Sequence, residues 1–104
     1  MGDFNTYNLA FVLRNGRKNK EGKSPVYMRI TANGQRAEIA HKRYIHSGNW
    51  ENKSNKAKGY KSEVKQLNQY LETLKALMSD YHTEMIKMGE EVTAQSLKNK
   101  FLGI

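Results

Sequence analysis

The residues of this chain that are best suited to chemistry are three arginines, which fall on one face of three predicted strands. A guanidinium can donate two hydrogen bonds to guanine, an asparagine amide can pair with adenine, and a threonine methyl can contact thymine. Residues of these types share that face with one aromatic and one acidic residue; the set is Asn8, Arg14, Tyr27, Arg29, Thr31, Arg36 and Glu38. The pattern predicts a surface that contacts a polyanion. An ordinary cross-strand ion pair between Arg29 and Glu38 would explain part of it without any ligand.

The positive charge is concentrated in the first part of the chain, although the formal net charge of all 104 residues is +8. Residues 1–61 carry 13 Lys and Arg against 4 Asp and Glu, whereas residues 62–104 carry 5 against 6. An excess confined to one region indicates binding to nucleic acid or an anionic surface, and a basic surface kept for solubility is the alternative. Other basic residues flank the strands and are expected to meet phosphates; they are Lys18, Lys20, Lys23, Lys42 and Arg43. Arg17, in the basic loop, is a further candidate contact to nucleic acid.

The sequence offers no catalytic centre, cofactor site or metal site. It contains no cysteine, which excludes disulfides and Cys-ligated zinc. Its three histidines, His41, His46 and His82, have no further ligand at a plausible spacing. The basic loop contains Gly22-Lys23-Ser24, but it is not followed by the helix pattern of a P-loop. No apolar run reaches the length of a membrane span, and the N-terminus lacks the features of a signal peptide. We therefore expect a non-enzymatic, cytoplasmic and nucleoid-associated protein with no membrane partner.

The strongest structural signal is Asn33-Gly34, which joins two alternating runs between residues 26 and 41. Both residues tolerate positive φ, so the dipeptide predicts a type I′ hairpin turn. A two-residue turn sets the register and pairs residues 27–32 with residues 35–40 in reverse order. Alternation then places an apolar set on the face opposite the arginines; it is Val26, Met28, Ile30, Ala37 and Ile39. We expect this set to form the core.

One strand is expected before the hairpin, whereas the segment after the hairpin shows no clear alternation of apolar and polar residues. Residues 7–14 alternate and predict the first strand. Residues 14–25 predict a flexible basic loop that ends where Pro25 can open the second strand. Beyond the hairpin, Trp50 is expected at the rim of the core, and residues 51–61 are expected to be polar and irregular.

A long amphipathic helix is predicted from Ser62, as its N-cap, to residue 88. Its apolar residues recur at steps of three and four; they are Val64, Leu67, Leu71, Leu74, Met78, Tyr81, Met85 and Met88. At 1.5 Å per residue the helix is about 40 Å long, whereas the strands span only about 20–23 Å. The part of the helix beyond Met78 therefore needs another partner.

The last segment is predicted to be a short second helix. Gly89 is expected to end the long helix, and Thr93 to cap a helix that runs through Leu102. This helix either folds back on the overhang or begins a further domain. The expected fold is α+β, with a three-stranded antiparallel sheet over residues 7–45 packed on the helix over 62–88. We expect residues 1–88 to form the domain and residues 89–104 a linker with a short helix.

Several motifs together resemble a known family. They are the block S-P-V-Y-M-R-I-T-A-N-G-Q-R-A-E-I-A, the lone Trp50, the Lys-rich stretch up to Gly59, the helical L-N-Q-Y-L and the late V-T-A-Q-S-L-K-N-K. The chain resembles the N-terminal arm-type DNA-binding domain of tyrosine recombinases, which are the site-specific integrases of phages and other mobile elements. The resemblance implies sequence-specific binding of double-stranded DNA at arm-type sites, with the sheet in the major groove.

The resemblance also implies partners within a larger protein. In the family a helical core-binding domain and a catalytic domain follow the arm domain, and neighbouring integrase subunits are further candidate partners. The chain is too short to hold the catalytic domain, so we expect a fragment in which none of the six tyrosines is the nucleophile.

Two other functions fit parts of the pattern. The heptad-like seam of the long helix could pair with a helix of another protein. A small sheet backed by a helix also serves RNA-binding proteins, although only Tyr27 supplies an aromatic ring on the outer face. The DNA target, the oligomeric state and the parent element stay open.

Overall fold

The computed structural model describes residues 6–104, apart from the side chain of His41. The strands are β1 (Asn8–Leu13), β2 (Ser24–Ala32), β3 (Gln35–Ile45), β4 (Trp50–Glu51) and β5 (Lys56–Ala57), and the helices are α1 (Ser62–Lys87) and α2 (Ala94–Leu102). The first three strands form an antiparallel sheet in the order β1-β2-β3, and β4 pairs with β5. The predicted α+β class, with a three-stranded sheet, a long helix and a short final helix, is confirmed.

The β2–β3 hairpin has the predicted turn and register. Asn33 and Gly34 have φ angles of 54° and 77°, as a type I′ turn requires. All six predicted pairs, from Ala32 with Gln35 to Tyr27 with Ala40, are present. The apolar face is buried as expected, because Val26, Met28, Ile30 and Ile39 belong to the core and Ala37 packs against it.

The register of this hairpin changes once, beyond the predicted pairs. Tyr27 pairs with Ala40, but the preceding Val26 pairs with Arg43. Strand β3 thus contains two extra residues at this point, and one of them, Lys42, has a φ of 60°. Such irregularities bend a strand and increase its twist. The last residues of β3, Arg43–Ile45, therefore run in a direction that cannot be predicted from the alternation of apolar and polar residues.

Helix α1 begins and ends close to the predicted residues, but its cap differs. The N-cap is Lys61, whose carbonyl accepts from the Val64 N–H at 3.0 Å and whose side chain makes no capping bond. Ser62 is therefore the first helical residue, and its predicted role as N-cap is wrong. At the other end Gly89, with a φ of 73°, follows the C-cap Met88 as predicted.

Helix α2 covers the part of α1 that extends beyond the sheet. It packs against α1 and against strands β2 and β3. Met78 and Met85 of α1 and Leu97 of α2 are all buried in this region. The predicted cap is present as a capping box, because the Thr93 hydroxyl accepts from the Ser96 N–H at 2.9 Å while the Ser96 hydroxyl accepts from the Thr93 N–H at 2.8 Å. Of the two arrangements that the sequence left open, α2 adopts the folded-back one. The predicted domain boundary at residue 88 stays a prediction.

Two asparagine side chains connect the sheet to α1 through the β4–β5 hairpin. The Asn55 amide donates to the Phe11 carbonyl at 2.6 Å, and its Oδ1 accepts from the Phe11 N–H. The Asn68 side chain of α1 forms the same pair of hydrogen bonds with Ala57, accepting from its N–H at 2.9 Å and donating to its carbonyl at 2.8 Å. Because β1 is an edge strand, its outward backbone groups are not paired by a further strand, and Asn55 supplies partners for those of Phe11. The segment predicted as irregular is therefore a hairpin that protects this edge.

The Asn55 contact predicts a specific loss of stability. Asn55 has a φ of 61°, which glycine also adopts, so Asn55→Gly removes the amide without adding backbone strain. Because the N–H and carbonyl of Phe11 lose their Asn55 partner, we expect the free energy of unfolding to fall by about 1–3 kcal/mol in urea denaturation. The control is Asn52→Gly in the same hairpin, where the residue is exposed and glycine adds only chain entropy. Equal effects of the two substitutions would contradict this role.

Candidate nucleic-acid interface

The structure brings most of the predicted base-contacting residues onto one face of the sheet, opposite the buried apolar face. Cross-strand pairing arranges them in rows, which are Asn8–Thr31–Arg36, Ala10–Arg29–Glu38 and Val12–Tyr27–Ala40. Arg14 follows β1 directly and reaches the same face. We call this surface the polar face. It combines cationic groups with amide, hydroxyl and methyl groups, which are the chemical types that can contact base edges.

The side chains at the centre of the polar face form one connected network. Glu38 accepts hydrogen bonds from two arginines, from the Arg14 guanidinium at Oε1 and from Arg29 Nε at Oε2, the latter at 3.1 Å. The Arg14 guanidinium carbon also lies 5.6 Å from the ring centroid of Tyr27. The Tyr27 hydroxyl in turn accepts from Arg17 at 3.2 Å. These contacts hold three arginines in defined orientations before any ligand arrives.

The geometry of Arg29 leaves its terminal nitrogens available. Its Nε is bound by Glu38, and no protein acceptor for its two Nη groups is found in the described part of the chain. These two nitrogens form the end of the guanidinium fork, which can donate two parallel hydrogen bonds. Arg36 is exposed and has no carboxylate partner within residues 6–104. The polar face therefore keeps cationic donors that its single glutamate does not neutralise.

The two arginines lower the pKa of Glu38. The hydrogen bond from Arg14 is the largest cause, burial opposes it, and the hydrogen bond from Arg29 adds to the lowering. The carboxyl group is consequently ionised at neutral and mildly acidic pH. An ionised carboxylate can only accept hydrogen bonds, so it continues to orient both arginines over that range.

The basic loop between β1 and β2 has a defined shape, although the sequence predicted it to be flexible. A 3₁₀ turn spans Asn15–Arg17. The Asn19 side chain then closes a tight turn, because its Oδ1 accepts from the N–H groups of Glu21 and Lys23, both at 3.0 Å. Three of the predicted DNA-contacting residues are exposed on this loop; they are Arg17, Lys18 and Lys20.

Two other predicted phosphate-contacting residues lie beside α1. Lys23 forms an ion pair with Glu21 at 3.4 Å and lines a small cavity with Leu67 of α1. The Arg43 guanidinium lies 4.1 Å from the ring centroid of Tyr70, also on α1. Lys42, which is also predicted to contact a phosphate, is exposed at the register shift of β3. Contact of these residues with DNA stays a prediction.

The contact that sequence reasoning missed is the one between Arg14 and Glu38. The Arg29–Glu38 pair follows from the two-residue turn, but the loop between β1 and β2 is long, so no local rule sets the register of β1. Arg14 could be assigned to the polar face by alternation, yet its partner could not be identified.

Other kinds of site have little support in the described part of the chain. Within residues 6–104, the side chain of His41 excepted, no group of three or more His, Asp or Glu side chains could hold a metal ion. No described helix is long and apolar enough to cross a membrane. The cavity lined by Lys23 and Leu67 measures about 50 Å³, whereas pockets for small molecules usually exceed about 300 Å³. A larger hollow of about 660 Å³ along Lys65 and Glu72 of α1 is shallow and open to solvent.

Comparison with known proteins identifies a family for this chain. The sequence model of a family described as an arm DNA-binding domain matches residues 11–98, from the middle of β1 into α2. The matched region includes the whole β2–β3 hairpin, the β4–β5 hairpin and α1. No curated protein and no solved structure matches the chain.

The low pKa of Glu38 predicts how stability depends on pH. A carboxyl whose pKa is lower in the folded than in the unfolded chain stabilises the folded state when the pH is above its pKa in the unfolded chain. This contribution is lost as the pH falls through its pKa in the folded chain. We therefore expect the difference in unfolding free energy between the wild type and Glu38→Gln to be largest near pH 7. It should shrink as the pH falls below 4.5, the ordinary value for Glu. Urea denaturation at pH 7 and pH 3 measures this, and a difference that does not change with pH would contradict it.

Proposed function

The chain belongs to the arm DNA-binding domain family, a family of non-catalytic DNA-binding modules, and we propose that it binds double-stranded DNA sequence-specifically at arm-type sites. The observation that carries this proposal is the polar face, where one glutamate orients Arg14 and Arg29 on the outside of a sheet whose other face is buried. The strongly basic part of the chain, residues 1–61, contains this face.

The proposed binding mode places the polar face in the major groove. The groove of B-DNA is about 12 Å wide and admits a two-stranded ribbon or a small sheet. The helices pack on the opposite face, so they do not obstruct this approach. In this mode Arg29 and Arg36 donate to guanine, Asn8 pairs with adenine, and Thr31 contacts a thymine methyl.

Glu38 has two parts in this mode. It orients Arg14 and Arg29, so less conformational entropy is lost when they meet the bases. A carboxylate beside the base edges also favours a cytosine amino group and disfavours acceptor groups. Exposed lysines of the loop, Lys18 and Lys20, contribute sequence-independent contacts to phosphates.

The proposal extends to the protein that contains this module. We infer that the parent is a tyrosine recombinase of a mobile element, in which core-binding and catalytic domains follow the arm domain. Neighbouring integrase subunits are further proposed partners, and the proposed location is the nucleoid of the cytoplasm. Strand cleavage belongs to the catalytic domain in this account, and no tyrosine of this chain takes part in it.

The alternative of a protein-interaction helix has less support. The apolar seam of α1 is buried against the chain itself; its buried members are Val64, Leu67, Leu71, Leu74, Met78 and Met85. RNA binding through stacked bases also has weak support, because the Tyr27 ring of the polar face is engaged by Arg14 and Arg17.

Two classes of substitution should affect binding differently. The tightest duplex recovered from a random pool is compared with its scrambled sequence by fluorescence titration at several salt concentrations. Arg29→Ala should reduce the preference for the selected duplex about 5- to 150-fold, which corresponds to about 1–3 kcal/mol for a bidentate base contact. Lys18→Ala should weaken both duplexes alike and reduce the salt dependence, because a phosphate contact releases a counterion.

Arg36→Ala is expected to resemble Arg29→Ala, and Lys20→Ala to resemble Lys18→Ala. If the arginine and lysine variants behave identically, the assignment of base contacts is wrong. If the unmodified protein shows no salt-sensitive binding to any duplex, DNA binding by this face is wrong.

A further inference from the structure

The β4–β5 hairpin carries positive charge that the proposed interface does not use. Residues 50–61 contain four lysines and one glutamate. Trp50, expected at the rim of the core, is buried, and its cross-strand partner Ala57 is buried as well. The next pair, Glu51 with Lys56, is exposed. Because side chains alternate along a strand, this pair lies on the side of the hairpin away from the core.

The hairpin is fixed beside the polar face. Its tip residue Asn55 binds both backbone groups of Phe11, in the middle of the edge strand β1. Lys56 follows Asn55 directly and therefore lies close to the outer edge of β1. Because Ala57 faces the core, Lys56 points away from the core at the β1 edge of the sheet.

The lysines near the tip are not neutralised within the described chain. No carboxylate of residues 6–104 forms an ion pair with Lys53 or Lys56. The neighbouring Glu51 carboxylate accepts a hydrogen bond from the Ser54 hydroxyl instead. The edge of the sheet therefore presents two exposed ammonium groups on a hairpin whose position is held by Asn55 and Asn68.

We propose that the β4–β5 hairpin is a second DNA-contacting element, in which Lys53 and Lys56 bind the phosphodiester backbone beside the β1 edge. The inference rests on the proposed function, because it places the polar face in the groove. Three strands span about 10 Å between their outer axes, so they occupy a groove about 12 Å wide. The next element beyond β1 then meets the wall of the groove, which is lined by phosphates. Lysine suits this place, because its compact charge meets a phosphate without demanding a fixed geometry.

The test uses the double variant Lys53→Gln/Lys56→Gln and a control with the same charge change, Lys87→Gln/Lys98→Gln, on helices α1 and α2. Affinities for the selected and the scrambled duplex are measured at several salt concentrations, after circular dichroism has shown that each variant is folded. The double variant should bind both duplexes at least about fivefold more weakly at low salt, with an unchanged ratio between them. The plot of log affinity against log salt should become less steep, and the magnitude of its slope should decrease by about one to two, because each phosphate contact contributes about 0.9. The control should keep the affinity and slope of the unmodified protein within a factor of about two.

The outcomes separate this inference from the proposed function. If the unmodified protein binds DNA but the double variant matches the control, the hairpin does not contact phosphates and the proposed function still stands. If the double variant changes the ratio between the duplexes, the lysines contact bases and the phosphate assignment is wrong. If the unmodified protein binds no duplex, both proposals fail together.

Discussion

The whole arrangement depends on the register of the β2–β3 hairpin. Asn33-Gly34 sets that register, and the burial of Val26, Met28 and Ile30 maintains it, since each such side chain contributes about 1.5–3 kcal/mol when buried. A slip of one residue would move these side chains into water and carry the arginines into the core. The same constraint that makes the core therefore also places the basic side chains on the opposite face. Helices α1 and α2 complete the core and leave that face uncovered.

The second determinant is the balance of charge on the polar face. Arginines on neighbouring strands repel one another, and Glu38 offsets this repulsion by accepting hydrogen bonds from Arg14 and Arg29. A single carboxylate shared by two guanidinium groups leaves a net positive surface, whereas one carboxylate for each arginine would have produced a neutral one. Because Glu38 offsets part of the arginine charge, the free protein is less strained by repulsion, yet the polar face still attracts a polyanion. Its hydrogen bonds also hold the guanidinium groups of Arg14 and Arg29 in defined orientations.

The sequence predicts most of what is local and little of what is distant along the chain. The hairpin register, the two faces, the end of α1 at Gly89 and the cap at Thr93 all follow from turn chemistry and periodicity, and the structure confirms them. The two extra residues near Lys42 could not be predicted, because the sequence has no clear alternation there and no turn residue marks the shift of register. The β4–β5 hairpin was missed because it is held by the amides of Asn55 and Asn68 and has almost no apolar pattern of its own. Ser62 as the helix cap was wrong by one residue, since the chain turns at Lys61.

The most direct test of the central claim is a map of the DNA contact on the folded protein. Backbone amide shifts of the isotope-labelled chain are recorded by NMR while the tightest duplex from a random pool is added. The account predicts that the largest changes fall on the outward residues of β1, β2 and β3, around Arg29 and Glu38, with small changes along α1 and α2. Changes concentrated on the outer surface of the helices, with β1 to β3 unaffected, would contradict the claim that this sheet face binds DNA.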